Sequence, residues 1–266
     1  MKIFDLVRPG RSIIRPQAES RMEYGPLLLL HDLAMYFADA NLALHLFDEA
    51  QTAQQEFAAY EYSGVAREDT RKEVMPAVPG CMLNRAPHMH SRSFLYALDN
   101  IHNYLQILSK MAGVPPAITD LKTEFEQVFG GNLKPVRNSA HHPEDRVRGL
   151  KTNEKPIDIQ PSAFMAFGSD TTSVHTGSIG GPGIANEVLR NGNRYGGLLA
   201  DGTYGEVEVS AATMAACQDV LQQVFDAFIW TNSDFDWVVY PYHVAIMGKE
   251  QVAAYANAIK KTVVPS

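Results

Sequence analysis

A chain of 266 residues is long enough for one large domain or two modest ones, and either arrangement buries a substantial core. Its composition is 45% hydrophobic and 20% charged with 19 Gly and 15 Pro, which excludes a disordered, collagen-like or low-complexity chain. The net charge of −7 argues against broad electrostatic wrapping of nucleic acid, although a local basic site stays open.

The apolar runs and the cysteines of the sequence indicate a cellular location. The longest unbroken apolar run, Leu33 to Ala38, is far shorter than the roughly 18 residues that a membrane-spanning helix needs. No apolar segment typical of a signal peptide follows the N-terminal charges. Cys81 and Cys217 are too few for a disulfide framework or a thiolate metal site. We therefore expect a cytoplasmic protein that needs no membrane, no metal and no cofactor.

The first half of the chain is dominated by helical periodicity. Residues 1–25 show no clear period and predict an N-terminal arm, which leaves 26–266 as a single helical domain. One helix is predicted to begin after Pro26, and a second to run from about Thr52 to Val74. The clearest helix, over about 92–111, carries an apolar stripe at helical spacing: Phe94, Leu98, Ile101, Leu105 and Leu108.

Two shorter helices and a loop are predicted next. The apolar spacing over about 116–129 predicts a helix that ends at Gly130-Gly131, and another helix follows with Pro135 in its first turn. Residues 151–193 are rich in Gly, Ser and Thr, and they predict a long surface loop with a short helix near Asn186 to Arg190.

The last part of the chain predicts one hairpin followed by helix. Asp201-Gly202 is typical of a two-residue β-hairpin turn, and the alternation from Glu206 to Val209 predicts a half-buried strand. Ser210 suits the N-cap of a helix over about 211–229, and a final amphipathic helix is predicted near Lys249 to Lys260. Alternating strand and helix units are absent, so the predicted fold class is mainly α with one β-hairpin rather than a doubly wound sheet.

The most informative stretch contains the pattern R-N-x-x-x-H, formed by Arg137, Asn138 and His142. If this segment is helical, Asn138 and His142 are four residues apart and share a face. Because His142 precedes Pro143, it is expected at a helix end, where its ring could turn towards Arg137. Between residues 134 and 151 five Lys and Arg residues stand against two acids. This is therefore the stretch where a phosphate would bind.

The grouping Arg137-Asn138-x-x-x-His142 resembles the R-[polar]-x-x-x-H motif of the HEPN superfamily, small helical domains many of which are metal-independent ribonucleases. The resemblance covers roughly 90–230, where two amphipathic helices precede the motif and a capped helix follows it. It implies a HEPN-like helical bundle in which Arg137 and His142 are the catalytic pair and Asn138 is the polar residue beside the arginine. His141 falls at a variable position of the motif, so the resemblance assigns it no role. The long Gly-rich loop departs from a compact family member.

These residue types fit cleavage of RNA without a metal. The 2′-hydroxyl loses a proton and attacks the adjacent phosphorus while an acid protonates the departing 5′-oxygen, and a histidine near neutral pH performs either proton transfer. The planar guanidinium of an arginine holds two oxygens of the charged phosphate in the transition state. One chain offers one such motif, so we expect a homodimer that pairs two motifs and supplies both a base and an acid.

Two other functions remain open. In a non-catalytic helical dimerisation or interaction module, Arg137 would pair with Glu144 or Asp145, and His142 would cap a helix. A small-ligand-binding protein would use the same basic stretch to hold a nucleotide. The sequence names neither an RNA target nor an antitoxin-type partner.

The remaining candidates are interpreted as structural. His88-x-His90 lacks a third metal ligand at useful spacing and is interpreted as an exposed helix start. The glycine-rich run 177–183 follows no clear strand and lacks the lysine of a phosphate-binding loop, which favours a flexible loop. Cys217 lies on an apolar helix face and is expected in the core. The aromatic residues of the tail suit a hydrophobic or dimer contact, or the stacking of bases: Trp237, Tyr240 and Tyr242.

Overall fold

The structure is a computed structural model, and it describes residues 4, 6–8, 12–13, 25–62, 79–142, 145, 148–151, 153–159, 171–175, 187–231 and 237–238. The glycine-rich run 177–183, Tyr240, Tyr242 and the predicted helix near Lys249 to Lys260 lie outside these residues.

The chain is mainly helical, as predicted, and its strands form small antiparallel sheets. The helices of the described part are α1 (Gly25–Tyr62), α2 (Gly80–Leu108), α3 (Ala117–Val128), α4 (Leu133–His141) and α5 (Ala211–Asp226). The strands are β1 (Val7–Arg8), β2 (Ser12–Ile13), β3 (Thr171–His175), β4 (Glu187–Arg190), β5 (Arg194–Leu198), β6 (Tyr204–Glu208), β7 (Trp230–Thr231) and β8 (Trp237–Val238). The two strands of the predicted arm pair with strands from the end of the described chain. Strand β1 pairs with β8 and β2 pairs with β7, both antiparallel.

Helix α1 is one continuous helix, which corrects the prediction that a second helix begins near Thr52. No Gly or Pro occurs between Pro26 and Tyr62, so nothing in the backbone requires a break. Thr52, where the second helix was predicted to begin, is accommodated inside α1. The hydroxyl of Thr52 donates to the carbonyl of Asp48 at 2.9 Å, one turn back.

The stretch Gly25–Ala59 of α1 is long and apolar enough to cross a membrane by length and composition alone. Polar residues such as His31 and Asp32 interrupt this stretch, so it contains no long unbroken apolar run. Buried helices of soluble proteins and signal sequences near an N-terminus meet the same criterion. Many apolar side chains of α1 are buried by protein, including Leu33, Phe37 and Phe47, and this packing is compatible with a soluble protein.

Helix α2 begins at Gly80, earlier than the predicted start near residue 92. Pro87 therefore lies inside the helix. The missing N–H of a proline removes one backbone hydrogen bond of the helix. The hydroxyl of Ser91 donates to the carbonyl of Pro87 at 2.9 Å, so this buried polar pair is satisfied within the helix. The predicted stripe of α2 is confirmed, since each of its members is buried: Phe94, Leu98, Ile101, Leu105 and Leu108.

The described chain divides into two compact units. Unit 1 consists of Met1, Ala40–Asp99 and Phe129–Ala211, and unit 2 consists of Lys2–Asp39, Asn100–Val128 and Ala212–Ser266. In unit 2 the predicted apolar positions of α3 and α5 are buried: Ile118, Leu121, Phe125, Met214, Cys217, Leu221 and Val224. The predicted division into an arm over 1–25 and a single helical domain over 26–266, with a HEPN-like core at about 90–230, stays a prediction.

Unit 1 contains a four-stranded antiparallel sheet in the order β3-β4-β5-β6. The predicted hairpin is therefore present as β5–β6, but two further strands precede it. This corrects the prediction of a surface loop over 151–193 with a short helix near Asn186, because Glu187–Arg190 is strand β4 and Thr171–His175 is strand β3. Val188 and Leu189 are both buried, which stabilises β4 by packing even though its flanks carry turn residues.

The turn of the β5–β6 hairpin has three residues between Leu199 and Thr203 rather than the predicted two. The N–H of Leu199 donates to the carbonyl of Thr203 at 2.8 Å, and the N–H of Gly202 donates to the carbonyl of Leu199 at 3.1 Å. Gly202 has φ +87°, which is the left-handed residue that a three-residue hairpin loop requires. A Cβ at Gly202 would lie 1.8 Å from the carbonyl oxygen of Asp158, so no other residue type fits there.

Candidate functional site

Helix α4 carries Arg137 and Asn138, His142 follows its last residue, and the helix lies entirely within unit 1. It packs against β5 and β6, and its apolar residues Leu133, Val136 and Ala140 are buried. The buried hydroxyl of Ser139 donates to the carbonyl of Leu198 at the end of β5. Arg137 and His141 lie one turn apart on the same helix.

Arg137 is held by Asp99 of α2, also in unit 1. The guanidinium Nη2 donates to Oδ2 of Asp99 in a short charge-assisted contact. The side chain of Asp99 is 4% exposed and that of Arg137 is 22% exposed, so the carboxylate is enclosed while part of the arginine side chain reaches solvent. The Nε of Arg137 is buried and has no hydrogen-bond partner among the described residues.

His141 contacts the same helix one turn earlier. Its Nδ1 lies 3.1 Å from the hydroxyl of Tyr96, and the two rings meet edge to face with centroids 5.9 Å apart. Tyr96 and Asp99 are three residues apart on α2, and Arg137 and His141 are four apart on α4. The contacts Asp99–Arg137 and Tyr96–His141 therefore join α2 and α4 in antiparallel orientation, one turn apart.

His142 follows the last residue of α4, as predicted for a residue before proline. Its backbone has φ −120° and ψ 57°, outside the helical region, and its N–H donates to the carbonyl of Asn138 at 3.3 Å. Its ring meets the ring of His141 edge to face with centroids 4.8 Å apart. Two imidazoles are thus adjacent at the C-terminal end of α4.

The positive charge available around α4 is lower than the five Lys and Arg residues of stretch 134–151 suggest. Lys134 and Arg148 are exposed and Lys151 is half-buried, but Arg137 is already paired with an acid. That acid is Asp99, whereas the alternative function expects Glu144 or Asp145 as the partner of Arg137, and Glu144 lies outside the described residues. Among the described residues of this stretch, Lys134 and Arg148 carry exposed positive charge, and the Arg137 side chain is partly exposed.

The pair His88-x-His90 is also corrected, because it lies inside α2 rather than at an exposed helix start. His88 is fully buried, and its ring meets that of Tyr195 on β5 edge to face at 6.3 Å. His90 is half-buried, and desolvation lowers its pKa. Within the described ranges of the chain, no group of three or more His, Cys, Asp or Glu side chains is arranged to hold a metal ion.

Sequence reasoning missed Tyr96 and Asp99 as members of the site, and it left His141 without a role. Asp99 had a recognisable signal: it stands four residues after Leu95 and directly after Leu98, within the buried stripe of an amphipathic helix. An acid at such a position requires a partner, since a buried charge without one is costly. Tyr96 had no comparable signal, because an aromatic residue on a helix is ordinary core composition.

A scan against protein-family models, a search of curated proteins and a search of solved structures find no match to this chain. The assignment of a function therefore depends on the chemistry of these residues.

Proposed function

We propose that the protein is a HEPN-like metal-independent endoribonuclease that binds RNA at the C-terminal end of α4. The observation that supports this most directly is the grouping of a partly exposed arginine and two adjacent imidazoles within six residues of one helix end. Arginine and histidine are the two side chains that this reaction needs in the absence of a metal.

Each proposed site residue has a defined task. Arg137 contacts the non-bridging phosphate oxygens through the part of its guanidinium that Asp99 leaves open, and it stabilises the charge that develops there. His142 transfers a proton to or from the reacting oxygens. Asn138, half-buried one turn before His142, fixes the end of the helix through its carbonyl and completes the polar surface beside the arginine.

The proposal includes a homodimer and a cytoplasmic location. The homodimer follows from the resemblance to a superfamily in which two motifs meet across a two-fold interface. The cytoplasmic location follows from the scarcity of cysteines, of which Cys81 is exposed and Cys217 is buried, and both are free thiols.

The proposal is tested by incubating purified protein with unstructured RNA in EDTA. We expect cleavage that persists in the chelator and leaves a 2′,3′-cyclic phosphate, because the 2′-hydroxyl is the nucleophile. The matched control RNA carries 2′-O-methyl groups and should not be cut. His142→Ala should lower cleavage by about 10²–10⁴-fold while RNA affinity stays nearly intact. Cleavage that is lost in EDTA and restored by Mg²⁺ would overturn the proposal, as would the absence of cleavage by the parent protein.

A second function, a non-catalytic helical interaction module, is favoured by one specific observation. The ion pair of Arg137 with the enclosed carboxylate of Asp99 joins α4 to α2, and such a contact can be the whole reason for an arginine at this position. In that case the parent protein cleaves no RNA, and substitution of either partner lowers the thermal stability of the protein without any effect on RNA.

A further inference from the structure

The rings of His141 and His142 are in contact within the same chain. The His141 and His142 rings are nearly perpendicular, at 81°, with centroids 4.8 Å apart. His141 is exposed and His142 is half-buried, so both border on solvent at the end of α4. We infer that His141, oriented by Tyr96, is the general acid of the proposed reaction and that one chain supplies both proton-transfer groups. This inference rests on the proposed function.

The reaction requires two proton transfers on opposite sides of the phosphorus atom. His142 takes the proton of the 2′-hydroxyl as the bond from the 2′-oxygen to phosphorus forms. The bond from phosphorus to the 5′-oxygen breaks, and the Nε2–H of protonated His141 gives its proton to that oxygen. The products are a 2′,3′-cyclic phosphate and a free 5′-hydroxyl, and the two histidines exchange protons with water before the next turnover.

Tyr96 makes His141 suitable for the role of acid. A phenol hydroxyl both donates and accepts hydrogen bonds. It can therefore accept from Nδ1–H of His141 before and after Nε2 loses its proton. The 3.1 Å contact consequently holds the ring in one orientation through the transfer, with Nε2 directed away from Tyr96. Tyr96 is a positioning residue, since it acts through His141 and contacts no reacting atom.

Asp99 and Tyr96 fix the two functional side chains of α4 to a single neighbouring helix. Because Arg137 is opposite Asp99 and His141 is opposite Tyr96, the phosphate-binding group and the acid keep a constant separation along α4. Both contacts lie within unit 1. The proposed acid therefore needs no residue of a partner chain.

The test compares two substrates that differ in how much they need an acid. A dinucleotide has an alkoxide leaving group, which requires protonation. Uridine 3′-(4-nitrophenyl phosphate) has a leaving group that departs as a stable anion. We expect His141→Ala to lose about 10²–10⁴-fold in kcat/KM on the dinucleotide and little on the nitrophenyl ester. His142→Ala should lose activity on both substrates, because the base is needed in each case. His45→Ala, which removes a partly exposed histidine of α1, is the matched control and should cleave both as the parent does.

Tyr96→Phe keeps the ring contact and removes the hydroxyl. We expect a smaller loss that is again confined to the dinucleotide, whereas a merely structural change would reduce both activities together. If His141→Ala cleaves both substrates like the parent, or loses both equally, His141 is not the acid and the inference is overturned while the proposed function stands. If the parent cleaves neither substrate, the proposed function itself fails.

Discussion

The guanidinium of Arg137 donates to the carboxylate of Asp99, which lies 38 residues earlier in the chain. This contact gives one side chain two roles. It compensates the charge of a carboxylate that is almost completely enclosed, and it fixes the position of an arginine side chain that stays partly exposed. A substitution of Arg137 therefore changes the stability of the protein as well as its proposed chemistry.

Arg137→Ala should lower the free energy of unfolding by about 3–5 kcal/mol, because it removes the guanidinium that binds the enclosed carboxylate of Asp99. Arg137→Lys keeps a positive charge near Asp99 but loses the planar fork, so it should retain more stability while RNA cleavage falls. The double variant Arg137→Ala with Asp99→Ala should recover part of the loss. Urea unfolding of the four proteins measures this, and equal stability of the parent and Arg137→Ala would contradict the pairing.

Gly202→Ala should be strongly destabilising, because φ is +87° and the new Cβ would overlap the carbonyl oxygen of Asp158 at 1.8 Å. Gly130→Ala is the matched control: φ is +55°, and apart from Gly130 and its two chain neighbours no heavy atom of the described chain lies within 4 Å of the Cβ position. Its cost should be limited to about 1–2 kcal/mol of backbone strain. The unfolding midpoints of both variants are compared with that of the parent. A Gly202→Ala midpoint at or above that of Gly130→Ala would show that the turn can open.

The two cysteines should differ in their reactivity. Burial raises the pKa of the Cys217 thiol far above its usual range, so no thiolate forms at neutral pH, whereas Cys81 is exposed. Iodoacetamide should add one group to the native protein, at Cys81, and two groups after denaturation. Mass spectrometry of the intact protein and its peptides measures both. Cys81→Ser should add none in the native state, and rapid native labelling of Cys217 would contradict the packing of α5.

Glu126 should make the stability of unit 2 sensitive to acid. It accepts hydrogen bonds from Lys122 at 2.9 Å and from His102 at 2.6 Å. The hydrogen bond from Lys122, and to a smaller extent that from His102, holds the pKa of Glu126 below its ordinary value of 4.5, against desolvation, which raises it. A lowered pKa means that the ionised form stabilises the fold above about 4.5 and that this stabilisation is lost as the pH falls through the folded-state pKa.

Glu126→Gln should therefore lower the free energy of unfolding at pH 7 by less than about 1 kcal/mol, since its side chain is 38% exposed and solvent screens the interaction. The difference from the parent should shrink as the pH is lowered below 4.5. Urea unfolding at a series of pH values measures it, and Glu124→Gln on the same helix serves as the control. A difference that stays constant with pH would mean that the charge of Glu126 is not involved.

The helices could be predicted from the sequence because their apolar positions recur at helical spacing. The stripe of α2 from Phe94 to Leu108 and the face of α5 from Met214 to Val224 are buried as expected. The boundaries of α1 and α2 were predicted less accurately, because each helix contains a residue that is typical of a helix end. Thr52 bonds to its own helix, and Pro87 is followed one turn later by Ser91, which bonds back to it.

The sheet and the partners of the site depend on contacts between distant residues, and local patterns do not reveal those. Strand β4 is only four residues long, and its two buried residues gain their packing from neighbours in the sheet. Arg137 and His142 were predicted at a helix and its end, and both lie there. Their environment was not predicted, because Tyr96 and Asp99 are about 40 residues away and become neighbours only when α2 and α4 pack antiparallel.

Two side chains of helix α4, two residues apart, form hydrogen bonds to different elements. Arg137 donates to Asp99 of α2, and Ser139 donates to the carbonyl of Leu198 at the end of β5. One extra residue inserted after Leu133 would rotate the rest of the helix by about 100°, which would break both hydrogen bonds at once. At Gly130 and Gly131, in the turn that precedes the helix, an added Cβ would meet no described residue other than the chain neighbours. Length variation among natural versions of this protein should therefore collect in that turn, while the spacing from Leu133 to His142 stays constant.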